Sequence, residues 1–558
     1  MIFLPIVDRE LRVASRQRGT YMTRFGSVLA AVAIGGWIML MPWMRSPQKL
    51  GIALFIALSL ITFVYSLIVG VRTTADCISE EKREGTLGLL FLTDLKGYDI
   101  VFGKMAATSL SAFYGMLAVF PVMAISLLAG GVAGGEFWRV SITAINNVFF
   151  SLSVGMFCSA ISRDERKSMM AAFGLLLLFC MLLPLTGALI ADARNIIPNP
   201  LFFVASPAFT CYMAFDETAR QVARSWAGMG ISALSLFYLS LIVTHLMGWF
   251  FLSSACRIVP RTWHDKAQDP IKRGNPLTRL LFAGSPEARL RFRRALLELN
   301  PFYWLTSRDR AKPILVWLFL VAGGVLWAWG SWKYPNAWKD EVTFIFSGML
   351  THGILKIWLA TEATRQLGMD RRSGALELLL STPISVRQII HGQLLSLWKQ
   401  FGPASVLVIL TDLIFLSARN EDSWRLFWAV IIGVFVLDMI TLAWVGMWLG
   451  LAHKHPSRAA ASAIARVMAL PWAIFLAFMT ALAVIFHFAG GGPTPRWADE
   501  NAVIIFGAVI AAAIDAMLLS WSRKRLLSNL RETATHRFEV RPTEAAPTPV
   551  TTAIPQSV

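Results

Sequence analysis

Arg83-Glu84-Gly85-Thr86-Leu87-Gly88-Leu89-Leu90-Phe91-Leu92-Thr93, running on to Ile100 and Gly103, is matched about half a chain later. The second copy is Arg372-Ser373-Gly374-Ala375-Leu376-Glu377-Leu378-Leu379-Leu380-Ser381-Thr382, running on to Ile389 and Gly392. A constant offset of 289 residues, without gaps, pairs Arg83 with Arg372, Gly85 with Gly374, Leu87 with Leu376 and Gly103 with Gly392. Self-similarity at long period marks a chain built from repeated units. The sequence therefore reads as two similar halves in one chain, each carrying one loop that does more than connect.

Working outward, the composition says what surrounds these loops. The 558 residues are 56% hydrophobic and only 15% charged, with a mean hydropathy of +0.58. A soluble domain carries about 25% charged residues. Long apolar runs such as residues 51–70, 171–191 and 503–519 match the roughly 30 Å hydrocarbon core of a bilayer at about 1.5 Å per helical residue. The fold class is an all-α polytopic membrane protein. The charged N-terminal stretch with Asp8, Arg9, Glu10 and Arg12 does not read as a cleavable signal peptide.

The net charge of +18 is not spread as a nucleic-acid interface would be. It gathers between apolar segments, at Arg257, Arg261, Lys266, Lys272 and Arg273, at Arg289–Arg294, and after the last segment at Arg523–Arg525. Lys and Arg in such places orient the spans and face anionic lipid. No nucleic-acid partner is expected; membrane lipid is. The cysteines Cys77, Cys158, Cys180, Cys211 and Cys256 have neither metal-site nor disulfide-framework spacing.

Twelve apolar segments are expected, six per half: about Phe25–Trp43, Leu50–Val71, Met105–Gly130, Phe137–Ser159, Met169–Ala191 and Trp226–Ser253, then Pro313–Ser331, Val342–Ala360, Leu394–Ala418, Trp424–Ala452, Ala461–Gly490 and Ala502–Trp521. An even number per half makes the two six-helix bundles parallel repeats, with both termini on the basic, cytoplasmic side of a plasma or inner membrane. The expected domains are 1–264, a cytoplasmic linker 265–285, 286–537 and a disordered tail 538–558. Stretches Ile6–Arg18 and Ala288–Trp304 should lie flat at the interface, with Leu290, Leu297 and Phe302 among the headgroups. The first half alone has a long external insert, Asp192–Arg224, which should cap the membrane surface or dip into it.

Each special loop begins as a mixed-charge extension of the preceding span, Arg72–Glu84 or Thr361–Ser373, and reaches a glycine, the residue that ends helices in positive φ. A short leucine-rich helix should follow, and Ser385-Val386-Arg387-Gln388 has capping-box spacing for the next one. Leu87, Leu89, Leu90 and Phe91, with Leu376, Leu378, Leu379 and Leu380, then sit on the wet side rimmed by charge, as a docking surface would. The alternative is that they fold back on their own helix ends.

The pattern of charged residues, Arg-x-Gly-Thr-Leu-x-Leu-Leu, a turn, and Ile-x-x-Gly-Lys over Glu81–Lys104 resembles the membrane subunit of ABC type-2 transporters. Asp370–Gln393 carries it nearly as well. The copies differ at Gly88 against Glu377 and Asp94 against Pro383. The resemblance implies an exporter-like permease whose loops couple to an ATP-binding cassette subunit, present in two copies. The implied coupling residues are Glu80, Glu81, Arg83, Gly85, Thr86, Leu87, Leu89 and Leu90 in the first loop. In the second they are Asp370, Arg371, Arg372, Gly374, Leu376, Glu377, Leu378 and Leu379. No phosphate-binding Gly-x-x-x-x-Gly-Lys-Ser/Thr loop is present, because Gly103-Lys104 is followed by Met105. No catalytic residue, cofactor or metal is expected in this chain; ATP and magnesium belong to the partner.

Polar residues within the apolar runs are the remaining candidates: Asp412, Asp438, Asp515, His245 and Lys356. Asp438 pairs with Asn147 at an offset of 291, and both are candidates for a translocation path, against a structural bond between helices. Lys356 and His245 should snorkel or pack. An ion-coupled transporter using Asp412, Asp438 or Asp515, and an ATPase-driven relay that moves no substrate, are the alternative functions. The transported substrate has no signature in the sequence.

Overall fold

A backbone crossing hydrocarbon must satisfy its own N–H and C=O groups, and helices do so within one segment. The computed structural model describes residues 7–8, 18–39, 46–93, 95–194, 196–226, 232–262, 293–294, 296–307, 311–453, 456–488 and 500–535. Among them every regular element is helical. The chain divides into two compact units, Met1–Pro270 and Ile271–Val558.

In the first unit the helices are α1 (Arg18–Met39), α2 (Pro47–Thr74), α3 (Cys77–Glu84), α4 (Thr86–Phe91), α5 (Gly97–Leu117), α6 (Phe120–Ala129), α7 (Gly134–Ile161), α8 (Glu165–Leu177), α9 (Leu183–Arg194), α10 (Leu201–Val204), α11 (Pro207–Met213), α12 (Asp216–Ser225) and α13 (Ala233–Thr262). The second unit has α14 (Pro301–Thr306), α15 (Ala311–Lys333), α16 (Pro335–Trp338), α17 (Glu341–Arg372), α18 (Ala375–Leu380), α19 (Val386–Ser417), α20 (Asp422–Ala452), α21 (Pro456–Ile464), α22 (Leu470–Phe488) and α23 (Glu500–Thr535). A π-helical turn joins α8 to α9 at Leu178–Leu182, and another joins α21 to α22 at Ala465–Ala469.

Among the described residues eleven helices are long and apolar enough to cross a membrane, five in the first unit and six in the second. The chain is a multi-pass membrane protein. Where a first segment Phe25–Trp43 is expected, α1 stands, with a shorter apolar part at Phe25–Gly36. Several spans overshoot the bilayer, and two of them lead into the special loops. Pro47–Glu84 and Glu341–Arg372 have 38 and 32 residues, whereas about 20 suffice to cross. Their last turns project as the foundations of the special loops.

Small residues let the central helices of each unit touch backbone to backbone, the association mode available where lipid removes the hydrophobic drive. A Cβ on Gly155 of α7 would lie 2.2 Å from Thr74 Oγ1 of α2. In the second unit a Cβ on Gly450 of α20 would lie 2.2 Å from the Thr364 carbonyl oxygen of α17. Thr74 Oγ1 adds a 2.9 Å bond to the Leu152 carbonyl, tying α2 to α7.

The insert packs as a cap on its own unit. Phe203, Phe209 and Trp226 form an aromatic cluster with ring centroids 5.7–5.9 Å apart. Thr210 Oγ1 meets Ser240 Oγ of α13 at 2.6 Å, and Arg139 of α7 pairs with Asp216 and donates to the Ala214 carbonyl. Glu136 accepts from the Asp216 N–H at 2.7 Å.

One interfacial expectation is corrected. Phe302 is buried with Leu526 and Leu530 of α23 and Ile389 of α19, not among headgroups. The reason is local: Asn300 caps α14 through bonds to Phe302 N and Tyr303 N, and its amide donates to the Gln388 carbonyl at 2.8 Å. That clamps α14 to the start of α19 and turns Phe302 inward. Leu297 is half-buried. Leu290, most of Ile6–Arg18, the linker 265–285 and the tail 538–558 lie outside the described residues.

Candidate functional site

Both loops take the same path: long helix, glycine, six-residue helix, next span. Gly85 between α3 and α4 has φ 73° and ψ 2°, and Gly374 between α17 and α18 has φ 74° and ψ 0°. A left-handed residue is what glycine alone adopts without strain. Ser385 Oγ accepts from the Gln388 N–H and Gln388 Oε1 accepts from the Ser385 N–H at 2.8 Å, so the capping box forms. Lys96 N–H donates to Asp99 at 3.1 Å at the matching place in the first unit.

The short helices present their leucines in two directions. Leu87 is 1% exposed, packed on Ile78, Ile100 and Val101, and Leu376 is 0% exposed among Leu367, Ile389 and Met447. Leu89 and Leu378 are 64% and 72% exposed. Leu90 and Leu379 are half-buried against their respective clusters. The expected apolar surface is thus narrower than the eight apolar residues proposed for it: Leu87 and Leu376 are anchors, and Leu89, Leu92 and Leu378 are the free apolar tips. Glu377 and Arg372 are exposed beside the second tip, Arg83 and Glu84 beside the first.

Charged residues brace each glycine turn from behind. Arg83 grips Asp76 with two bonds of 2.8 Å and donates to the Arg163 carbonyl at 3.1 Å. Glu81 accepts from Thr86 Oγ1 at 2.6 Å and pairs with Lys104 Nζ at 2.8 Å. Glu80 N–H donates to the Asp76 carbonyl at 2.8 Å, continuing the helix. Lys82 donates to the Ala160 carbonyl at the end of α7. In the second unit Arg371 donates to the Leu451 carbonyl at the end of α20, the position equivalent to Ala160. Arg372 Nε donates to the Gly368 carbonyl at 3.0 Å, and Asp370 accepts from Gln366 at 3.2 Å.

Sequence reasoning missed the bonds from Lys82 and Arg371 to the ends of α7 and α20, although a basic residue at matching offsets was the available signal. The ion pair across the first loop also has no copy: Gln393 stands where Lys104 does, with no partner for its Oε1 among the described residues.

Of the intramembrane polar residues, Asn147, His352, Asp412, Asp438 and Asp515 are buried in helix contacts, Lys356 is half-buried and His245 is exposed. Asn147 is fully buried, and neither amide atom has a partner among the described residues. Asp438 of α20 pairs with Lys356 of α17 at 2.5 Å, so Lys356 turns inward instead of snorkelling. His352 Nε2 meets Asp412 Oδ2 at 2.8 Å. His245 bonds Asn146 at 3.0 Å and receives Trp249 Nε1 at 3.0 Å, beside a surface groove of about 380 Å³ lined by Ile145, Phe149 and Leu241.

Comparison with known proteins adds one match. Residues 11–254 fit the family model described as ABC-2 family transporter protein. No curated protein matches the chain.

Proposed function

We propose that the whole chain is an export permease built from two ABC-2-type membrane domains and working with an ATP-binding cassette subunit, a reading supported by the match of residues 11–254 to the ABC-2 family transporter model. Two copies of a separate ATPase would bind it, one at each glycine-turn loop, and supply the ATP and magnesium chemistry.

The observation that carries the reading is the repeated turn. Two loops in separate units share a left-handed glycine, a buried anchoring leucine and an exposed leucine tip, at the ends of helices too long for the bilayer. An exposed leucine rimmed by charge is stabilised by a partner's apolar groove. A rigid turn fixed to a continuous span passes the partner's movement into the membrane without melting. Glu80, Glu81, Arg83 and Thr86, and Asp370, Arg371 and Arg372, stiffen the turns; Leu89, Leu378 and Glu377 would meet the ATPase.

The ATPase would lie in the cytoplasm with both chain termini, the membrane being the plasma or inner membrane. Asn147 and Asp438 are retained as candidates for residues that sense or line the substrate path, since each is a polar group buried at membrane depth. The test is reconstitution with the ATPase in lipid vesicles. ATP hydrolysis that rises with the permease, and falls when both leucine tips are replaced by aspartate, supports the reading. Hydrolysis indifferent to the permease refutes it.

A further inference from the structure

Three ionisable side chains meet inside the second unit: Lys356 of α17, Asp438 of α20 and Asp515 of α23. Lys356 and Asp438 form one ion pair at 2.5 Å. The Asp515 carboxyl is 0% exposed and lies within hydrogen-bonding reach of Asp438 and beside Lys356. Neither of its oxygens receives a hydrogen bond from any described donor. Two carboxylates and one ammonium leave one uncompensated negative charge in a setting that does not tolerate it.

The groups around the triad do not remove that charge. On α17, His352 lies one turn before Lys356 and is taken by Asp412 of α19 at 2.8 Å. The Phe435 ring of α20 stands between the two pairs, stacked on His352 at 4.2 Å with Lys356 Nζ at 5.7 Å. On the π turn beside α23, Arg466 lies over Trp521 at 5.5 Å, almost two turns from Asp515. Thr441, one turn along from Asp438, is buried with its hydroxyl unpartnered among the described residues.

We propose that the Asp438–Asp515 carboxyl pair is an intramembrane proton-binding site, holding one proton between the two acids while Lys356 neutralises the remaining charge. With that proton Asp515 becomes a donor to Asp438, and the cluster is neutral. A proton suits the site better than sodium or potassium, because the Lys356 ammonium already occupies the cation's place against Asp438 and would repel a second one. Two carboxyls in contact share a proton for the same electrostatic reason in other settings. The site joins three helices, so its proton is held only while α17, α20 and α23 stay together. The first unit has Asn147 at the position matching Asp438 and Leu67 at that matching Lys356, so it has no such triad. The inference is independent of ATPase docking.

Infrared spectroscopy of the full chain in lipid nanodiscs tests it, read at the carbonyl stretch of protonated carboxylic acid and its shift in D2O. The wild type should show one buried protonated carboxyl at neutral pH. Asp515→Asn should lose it. Asp438→Asn should lose it too, since the one remaining carboxylate then pairs with Lys356 and ionises; this second variant guards against a folding failure in the first. Asp412→Asn, which leaves the triad intact, should keep it. Absence of the band from the wild type, or its persistence in both triad variants, overturns the proposal. A wild type without the band, whose thermal stability rises with sodium or potassium only while Asp515 is present, would make the site a metal-cation site and equally overturn it.

Discussion

Glu81 and Lys104 stand at opposite ends of the first loop and meet at 2.8 Å, both largely shielded from water. Glu81 also holds Thr86 just past the glycine turn. One carboxylate therefore fixes where the loop leaves its long helix, where the short helix begins and where the next span starts.

We predict that Lys104→Met loosens this brace. Removing one member of a buried ion pair costs about 3–5 kcal/mol, because the other charge is stranded. Thermal stability in detergent should fall, and Glu81→Gln combined with Lys104→Met should recover part of it. An additive loss in the double variant would show that the two residues act separately.

Leu89 and Leu87 give opposite expectations two residues apart. Leu89→Asp leaves the fold intact and weakens ATPase co-purification; Leu87→Asp buries a carboxylate in the Ile78–Ile100 cluster and lowers expression. Leu378→Asp and Leu376→Asp should repeat the contrast. Equal ATPase recovery with Leu89→Asp, Leu378→Asp and wild type would remove the leucine tips from the interface.

Gly85 and Gly374 have open space around a would-be Cβ, so only the backbone objects to a side chain. Alanine at either position should cost about 1–2 kcal/mol through the left-handed conformation, and asparagine less. Proline, which fixes φ near −65°, should misplace the short helix altogether. Permease-stimulated ATP hydrolysis should fall in that order, with Gly85→Asn closest to wild type. Proline variants as active as the wild type would contradict it.

The insert supplies a topology test. Burial pushes the Cys211 thiol up to about 12, so little thiolate exists at neutral pH and a thiol reagent should modify it slowly, even up to pH 9. Glu217→Cys, at an exposed position of α12, should be labelled on intact cells by an impermeant maleimide. Arg531→Cys, at an exposed position of α23, should react only after the cells are opened. The reverse pattern would invert the assigned orientation.

Much of this architecture is written in local pattern. The apolar runs dictate spans because hydrocarbon permits little else, and Gly85 and Gly374 announce their turns because other residues resist positive φ. The inward turn of Leu87 beside an outward Leu89 was not legible, since a helix of six residues is too short to reveal its phase. Lys356, Asp438 and Asp515 were each visible as costly residues. Their meeting joins three helices through packing that no spacing along the chain encodes. Phe302 was misassigned because its amphipathic surroundings look interfacial until Asn300 ties α14 to α19.

The π turns at Leu178–Leu182 and Ala465–Ala469 are places where two spans would turn as screws if their pairing changed. Each holds one residue more than an α-helical turn would need. If that turn tightened to ordinary α geometry, everything beyond it would rotate by about 100° and shift by roughly 1.5 Å along the axis, the step of one residue. The helix stays hydrogen-bonded throughout, since only one turn changes its pairing. Such a span can present a different face to its surroundings while its far end keeps its footing, as a bolt turns in its thread.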